Sequence, residues 1–204
     1  MHNRFFRLGA AFLLPVMILT LFLFTISTAN PARAGSNSLL IEAVLYDGLV
    51  SGDADEAVRL INLVSVPLNV TGFALSFVCS CRATLPTVAM IDAGEGIWLA
   101  KDGAAFAQQF GFLPDFELTD SSIDVPNLLG SWPGYANSGD EVMLHNASDS
   151  VIDCLIYEKD DTLACGAEWV GAAVEPYKVS TVFAEEGQIL YRKRDAQTGL
   201  PVPD

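Results

Sequence analysis

Histidine limits the chemistry open to this 204-residue chain, because His2 and His145 are the only two it contains. His145 alone cannot supply a zinc site of several histidines or a catalytic site of paired His-x-Lys motifs. It can act in a nucleophilic triad only with a nearby serine or cysteine, and the adjoining Ser148 lies in a predicted turn. The chain also lacks Gly-x-Ser-x-Gly, His-Glu-x-x-His and a phosphate-binding glycine loop. We therefore expect no catalytic residues, no metal and no cofactor, and we interpret His145 as a surface residue at the end of a strand.

The cysteines are the next reactive set, at Cys79, Cys81, Cys154 and Cys165. In an exported chain, which the N-terminus indicates below, an even number of cysteines predicts two disulfides. Three pairings are possible. A ring between Cys79 and Cys81 is very tight, so we favour a bond from each of these to one of the other two, which would contribute about 2–4 kcal/mol. A four-cysteine zinc site and a free, buried Cys154 are the alternatives, although the spacing lacks two Cys-x-x-Cys knuckles.

Two further groups of side chains are candidates for ligand binding. Carboxylates lie close together in one predicted loop, at Asp47, Asp53, Asp55 and Glu56. Oxygen ligands in a flexible loop suit calcium, but the spacing is not that of an EF-hand, and a solvated turn is the simpler interpretation. Aromatic residues that could stack on sugars or dock proteins are Trp98, Trp132, Tyr135 and Trp169. We favour a core position for them, because a loop tryptophan more often covers the end of a β-sandwich.

The N-terminal 34 residues have the three parts of an export signal. Arg4 and Arg7 form a positive start, residues 8–29 form an apolar run, and a small-x-small site at 32–34 predicts cleavage between Ala34 and Gly35. The apolar run is roughly as long as a membrane span, so an uncleaved transmembrane anchor is the alternative. Either outcome places residues 35–204 outside the cytoplasm, as a secreted or cell-surface protein that touches a membrane only through this segment.

The charge of the chain excludes one class of partner. Its formal net charge is −14, and all 25 acidic residues follow the N-terminal segment. Proteins grip phosphate backbones through Lys and Arg, so we exclude nucleic acid as a direct ligand. The exported part is also long enough to bury close to about 70% of its unfolded surface, so its folding does not depend on disulfides.

Short strands are predicted to carry or flank these candidate residues. Alternation of apolar and polar residues predicts strands over 39–45, 57–64, 73–78, 96–101 and 188–193, and a hairpin over 137–157 with one face in a core. The turn of this hairpin is the polar segment 146–149. A short helix is predicted over 103–110, capped by Asp102 and ended by Gly111. Many short strands and one brief helix predict an all-β sandwich.

The strand segments resemble a known family in their order and spacing. The matching pieces are Leu40–Tyr46, Asp53–Glu56, Pro67–Leu75, Ala83–Pro86, Gly94–Ala100, Asn137–Val142 and Val151–Tyr157. Together they are similar to a lamin-tail domain, of the type found in exported bacterial proteins. The resemblance implies an immunoglobulin-like β-sandwich over residues 35–160, followed by a loop, a last strand and a linker over residues 161–204. The loop Cys79-Ser-Cys81 departs from the family pattern, which is normally short and free of cysteine.

The resemblance also implies a function, since the family pattern supplies no catalytic set. We predict a non-catalytic interaction module, with an unknown protein or a cell-surface glycan as its partner. Residues 187–194 are similar to the last strand of such modules where they precede a phospholipase D-like domain. The first alternative is therefore the N-terminal accessory part of a truncated, secreted phospholipase D-like hydrolase. The second alternative is a carbohydrate- or calcium-binding module.

Overall fold

The fold is known from a computed structural model that describes residues 32–33, 38–77, 81–157, 177–179 and 184–201, with only the backbone for the first and fourth ranges. The predicted signal helix and the cleavage site at Ala34 and Gly35 lie outside these residues. Ala32–Arg33, just before that site, forms a two-residue strand. Within the described part of the chain, no helix has the length and apolar character needed to cross a membrane.

Fourteen strands and one helix make up the described structure. They are β1 (Ala32–Arg33), β2 (Leu39–Leu45), β3 (Ala57–Asn62), β4 (Leu68–Asn69), β5 (Ala74–Ser76), β6 (Arg82–Thr84), β7 (Met90–Ile91), β8 (Gly96–Asp102), α1 (Gly103–Phe110), β9 (Phe116–Thr119), β10 (Leu129–Gly130), β11 (Asp140–His145), β12 (Val151–Tyr157), β13 (Tyr177–Val179) and β14 (Leu190–Tyr191). The prediction of an all-β fold with one short helix is confirmed.

The strands form two large sheets and one small sheet. A five-stranded sheet has the order β14-β2-β3-β8-β9, and a six-stranded sheet has the order β10-β6-β5-β11-β12-β13. The small sheet has the order β1-β4-β7. Alternate side chains of both large sheets meet in one hydrophobic core, to which Val44 and Leu60 contribute from one sheet and Val142 and Leu155 from the other. This is the sandwich architecture that the strand pattern predicted.

The outer faces of the two large sheets are buried as well. On the five-stranded sheet, Trp98 and Ala100 pack against Phe106 of α1. On the six-stranded sheet, Met143, Val151, Cys154 and Ile156 form a separate buried cluster. The predicted hairpin, β11 and β12, is confirmed, but the expectation that only one of its faces is buried is wrong, because every residue of both strands is buried.

The helix begins and ends where cap chemistry predicts. The carboxylate of Asp102 accepts a hydrogen bond from the backbone N–H of Ala105 at 2.9 Å, which satisfies one of the free donors of the first turn. Gly111 ends the helix in a left-handed conformation, with φ of 78°. Glu117 of β9 fixes the helix to the sheet, because its buried carboxylate accepts from the backbone N–H of Gly103 at 2.7 Å.

A buried ion pair joins the two large sheets. Asp153 of β12 lies between them, and its carboxylate accepts two bonds from the guanidinium of Arg192, at 2.9 and 3.0 Å. The same carboxylate accepts from the backbone N–H of Ile41 on β2 at 2.7 Å. A bulge follows in β2 at Glu42, whose carbonyl accepts from the N–H of Arg192 at 2.8 Å and whose buried carboxylate pairs with Arg59 and Arg194. The last strand therefore belongs to the sandwich and is held in it by charge.

One exposed residue is held in a strained backbone conformation. Val88 has φ of 69°, in the left-handed region that a β-branched residue rarely adopts, and 87% of its surface is exposed. Replacing Val88 with glycine is expected to raise the free energy of unfolding by about 1 kcal/mol, because the strain is released and little packing is lost. Urea denaturation measures the change.

Val66 supplies the matched control, because it is also exposed but has no positive φ. Val66→Gly is expected to lower the stability, since glycine there only adds freedom to the unfolded chain. Equal losses in the two variants would contradict the strain at Val88.

Candidate functional site

A serine, a histidine and an aspartate meet on the outer face of the six-stranded sheet. Ser76 is the last residue of β5, His145 is the last residue of β11, and Asp149 lies in the turn between β11 and β12. In the pairing of β5 with β11, Ser76 lies opposite Met143, so it is the diagonal neighbour of His145 on the same face. Asp149 has φ of 66°, which aspartate tolerates better than most residues in a turn.

Short polar contacts connect the three side chains into a relay from Ser76 through His145 to Asp149. The Nε2 of His145 lies 2.7 Å from the Oγ of Ser76. Its Nδ1 lies 3.3 Å from a carboxylate oxygen of Asp149 and 3.5 Å from the backbone oxygen of the same residue. Both of these groups are acceptors, so a neutral ring with its proton on Nδ1 fits this arrangement, and Nε2 of that tautomer accepts from the Ser76 hydroxyl. This is the tautomer in which a histidine can take a proton from serine.

Arg82 places a positive charge beside the relay. It lies directly across from Ser76 in the pairing of β5 with β6, and its guanidinium pairs with the carboxylate of Asp149. Ser76 and His145 are each only 2% exposed, whereas Arg82 and Asp149 are 38% and 64% exposed. The relay therefore runs from a charged surface pair into a buried hydroxyl, in surroundings where hydrogen bonds and charges act strongly.

These positions correct the sequence analysis in two respects. His145 is buried, so its interpretation as a surface residue at a strand end is wrong. The hydroxyl that bonds its Nε2 belongs to Ser76, 69 residues away, and not to the adjoining Ser148. No local motif indicates this partner, because the contact depends on which strands pair. The indication that the sequence does contain is Ser76 itself, a polar residue at the end of a short apolar strand.

A second group of polar side chains lies at the end of the sandwich near the β2–β3 loop. The carboxylate of Glu56 is buried, and the ammonium group of Lys101 lies 3.2 Å from it, with the indole of Trp132 beside it. Burial raises the pKa of Glu56 to about 7, against the opposing effect of Lys101. Burial and the charges of Glu56 and Asp140 raise the pKa of the Tyr135 hydroxyl well above its ordinary value. This group ties the loop that carries Trp132 and Tyr135 to the core.

Asp55 uses its carboxylate within the acidic loop. The two oxygens of Asp55 accept from the backbone N–H groups of Leu49 and Val50, at 3.1 and 3.0 Å. The ammonium of Lys101 donates to the carbonyls of Gly52 and Asp53, each at 3.0 Å. Among the described residues, no group of three or more His, Cys, Asp or Glu side chains is placed to hold a metal ion. The loop is thus braced by its own backbone and by a lysine.

The aromatic candidates occupy core positions. Trp132 and Tyr135 belong to the main hydrophobic core, with their rings edge to face at 6.0 Å, and Trp98 packs on the outer face of the five-stranded sheet. The preference for core over an exposed stacking platform is confirmed for these three. Trp169 lies outside the described residues.

Two of the four cysteines lie within the described part of the chain. Cys81 is half-buried, and Cys154 is completely buried and disulfide-bonded. Cys79 and Cys165 lie outside the described residues, so the predicted pairing stays a prediction.

Three exposed apolar side chains lie on the small sheet or in the loops that lead into its strands. Val66, Val88 and Met90 are all exposed, and we call them the β4–β7 surface. Met90 lies on β7, and Val66 lies in the loop that leads into β4. The side-chain amide of Asn62 joins these two parts, because it donates to the carbonyls of Val66 and Ile91 at 2.8 and 3.1 Å.

The chain matches no protein-family model and no curated protein.

Proposed function

We propose that this chain is an interaction module of the lamin-tail type that acts outside the cytoplasm. The observation that carries the proposal is the β4–β7 surface. Val88, at one end of this surface, is exposed and held in a strained conformation, and that strain contributes nothing to the stability of the free protein. Strain at an exposed apolar residue is characteristic of sites selected for contact rather than for folding.

The chemistry of the surface favours a protein over a glycan as partner. Sugar-binding sites present exposed aromatic rings, and the three exposed residues that define the β4–β7 surface are a methionine and two valines. The β4–β7 surface offers aliphatic and thioether groups, which gain from burial against another apolar surface without a specific geometry.

Two features support the family and the compartment within this proposal. The segments that resemble the lamin-tail pattern fall on β2, on β4 and β5, on β8 and on the β11–β12 hairpin, in the expected order. The export signal read from residues 1–34 and the even number of cysteines are typical of a chain that functions in an oxidising compartment.

Site-specific photo-crosslinking in cells that express the full chain tests the proposed contact. A photoreactive amino acid at Val88 is expected to give one dominant crosslinked product of defined mass. The same group at Gln197, which is exposed in the turn after β14, is expected to give none. Identical products from both positions would show random collision and would contradict a docking surface at Val88.

A further inference from the structure

We propose that Ser76 is a reactive nucleophile, that His145 is its general base, and that Asp149 is the positioning residue of the base. The proposal goes beyond the proposed binding function and does not depend on it. Its geometric basis is the relay of 2.7 Å from Ser76 Oγ to His145 Nε2 and 3.3 Å from His145 Nδ1 to Asp149. A serine becomes nucleophilic when an adjacent base accepts its proton and a third group orients that base.

The substrate class follows from the charge beside the hydroxyl. Arg82 is the cross-strand neighbour of Ser76 on the same face of the sheet, so it brings a positive charge to the region where an oxygen becomes negative during attack at Ser76. A cation in that position stabilises the oxyanion of acyl transfer. The site therefore fits carboxylic esters, and it fits the fluorophosphonates that imitate their tetrahedral intermediate.

Hydrolysis of an ester at Ser76 needs water as its only co-reactant. The Ser76 oxygen forms a bond to the ester carbonyl carbon, and the hydroxyl proton passes to His145 Nε2. The bond from that carbon to the alcohol oxygen then breaks, and the departing oxygen takes the proton from Nε2. Water hydrolyses the acyl-serine by the same route, with its proton passing through His145, and Ser76 is regenerated.

Access to Ser76 is controlled by the surface ion pair. Ser76 is 2% exposed, but the Arg82–Asp149 pair that adjoins the relay is accessible to water. Exposed ion pairs of this kind are weak and open readily. The route to the hydroxyl therefore passes the Arg82–Asp149 pair, on the outer face of the sheet between β6 and the β11–β12 turn.

A fluorophosphonate probe tests the proposal on the intact, full chain. The Ser76 oxygen is expected to displace fluoride and form a phosphonyl ester, which peptide mapping by mass spectrometry would locate at Ser76. Ser76→Ala is expected to abolish this adduct. His145→Asn is expected to slow labelling by about 10²–10⁴-fold, the usual contribution of a general base. Ser148→Ala, which changes a serine outside the relay, is expected to leave the rate unchanged.

The pH dependence separates a positioning role for Asp149 from a structural one. Labelling is expected to rise as His145 loses its proton, and Asp149→Asn is expected to move the midpoint to lower pH, because the carboxylate that favours the imidazolium is gone. Circular dichroism of each variant verifies that it is folded. No adduct at Ser76 in the folded wild-type chain, or an unchanged rate in folded His145→Asn, would overturn the proposal.

Discussion

Replacing Asp153 with alanine is expected to lower the free energy of unfolding by about 3–5 kcal/mol, the largest loss we expect from a single polar residue in this chain. The carboxylate is completely buried and bonds both the guanidinium of Arg192 and the backbone N–H of Ile41. Removing it leaves a positive charge and a backbone donor in the interior without the acceptor they share. Guanidinium chloride denaturation under non-reducing conditions measures the change.

Two further variants divide this loss into its parts. Asp153→Asn keeps an oxygen for the N–H of Ile41 but removes the charge, so it is expected to lose less than alanine. Replacing Asp153 with leucine and Arg192 with methionine together removes both charges, and it is expected to be more stable than either single replacement.

Arg82→Ala is the surface control, because Arg82 and Asp149 are both substantially exposed, and its effect is expected to stay within about 1 kcal/mol. If Asp153→Ala cost no more than this control, the two sheets would not depend on the buried pair.

Replacing Glu56 with glutamine is expected to stabilise the protein at pH 8 by about 1–3 kcal/mol and to have almost no effect at pH 4. Burial raises the pKa of Glu56 from 4.5 to about 7 in the folded protein. The folded state therefore holds the proton more tightly than the unfolded state, so stability is lost as the pH rises from about 4.5 to about 7. Glutamine stays neutral throughout and removes that loss.

The measurement is the difference in unfolding free energy between wild type and variant across this pH range, since the difference cancels the titration of other groups. Glu95→Gln is the matched control, because Glu95 is exposed in the turn before β8. Its difference from wild type is expected to stay small at every pH. A loss of stability in Glu56→Gln that grows as the pH rises would show that the Lys101 contact, and not burial, governs this carboxylate. A difference that does not change with pH would show that the two effects cancel.

Local sequence patterns were sufficient to predict several strands and the helix of this protein. The strand predicted over 39–45 has those bounds in the structure, and the helix predicted over 103–110 starts after Asp102 and ends before Gly111 as expected. Alternation along a strand and the bonds of a helix cap involve residues a few positions apart, so the chain specifies them locally. The preference of Trp98 and Trp132 for the core was predicted in the same way, because large apolar surface is buried wherever the strands assemble.

Strands that depend on partners far away in the sequence were harder to predict. Segments 116–119 and 129–130 lie outside the strands predicted from alternation, yet they form β9 and β10. Both are short, and each exists because a neighbour supplies its hydrogen bonds, β8 for the first and β6 for the second. A two-residue strand carries too few alternating positions to be distinguished from a loop.

The contacts between polar residues follow from the pairing of distant strands, which local sequence patterns do not indicate. Asp153 and Arg192 are 39 residues apart, and Ser76 and His145 are 69 residues apart. A pattern of period two indicates that a residue points to one face, but not which strand lies beside it or whether that face is covered. For that reason His145 was predicted on the surface and is found buried, bonded to a serine that pairing of β5 with β11 brings to it.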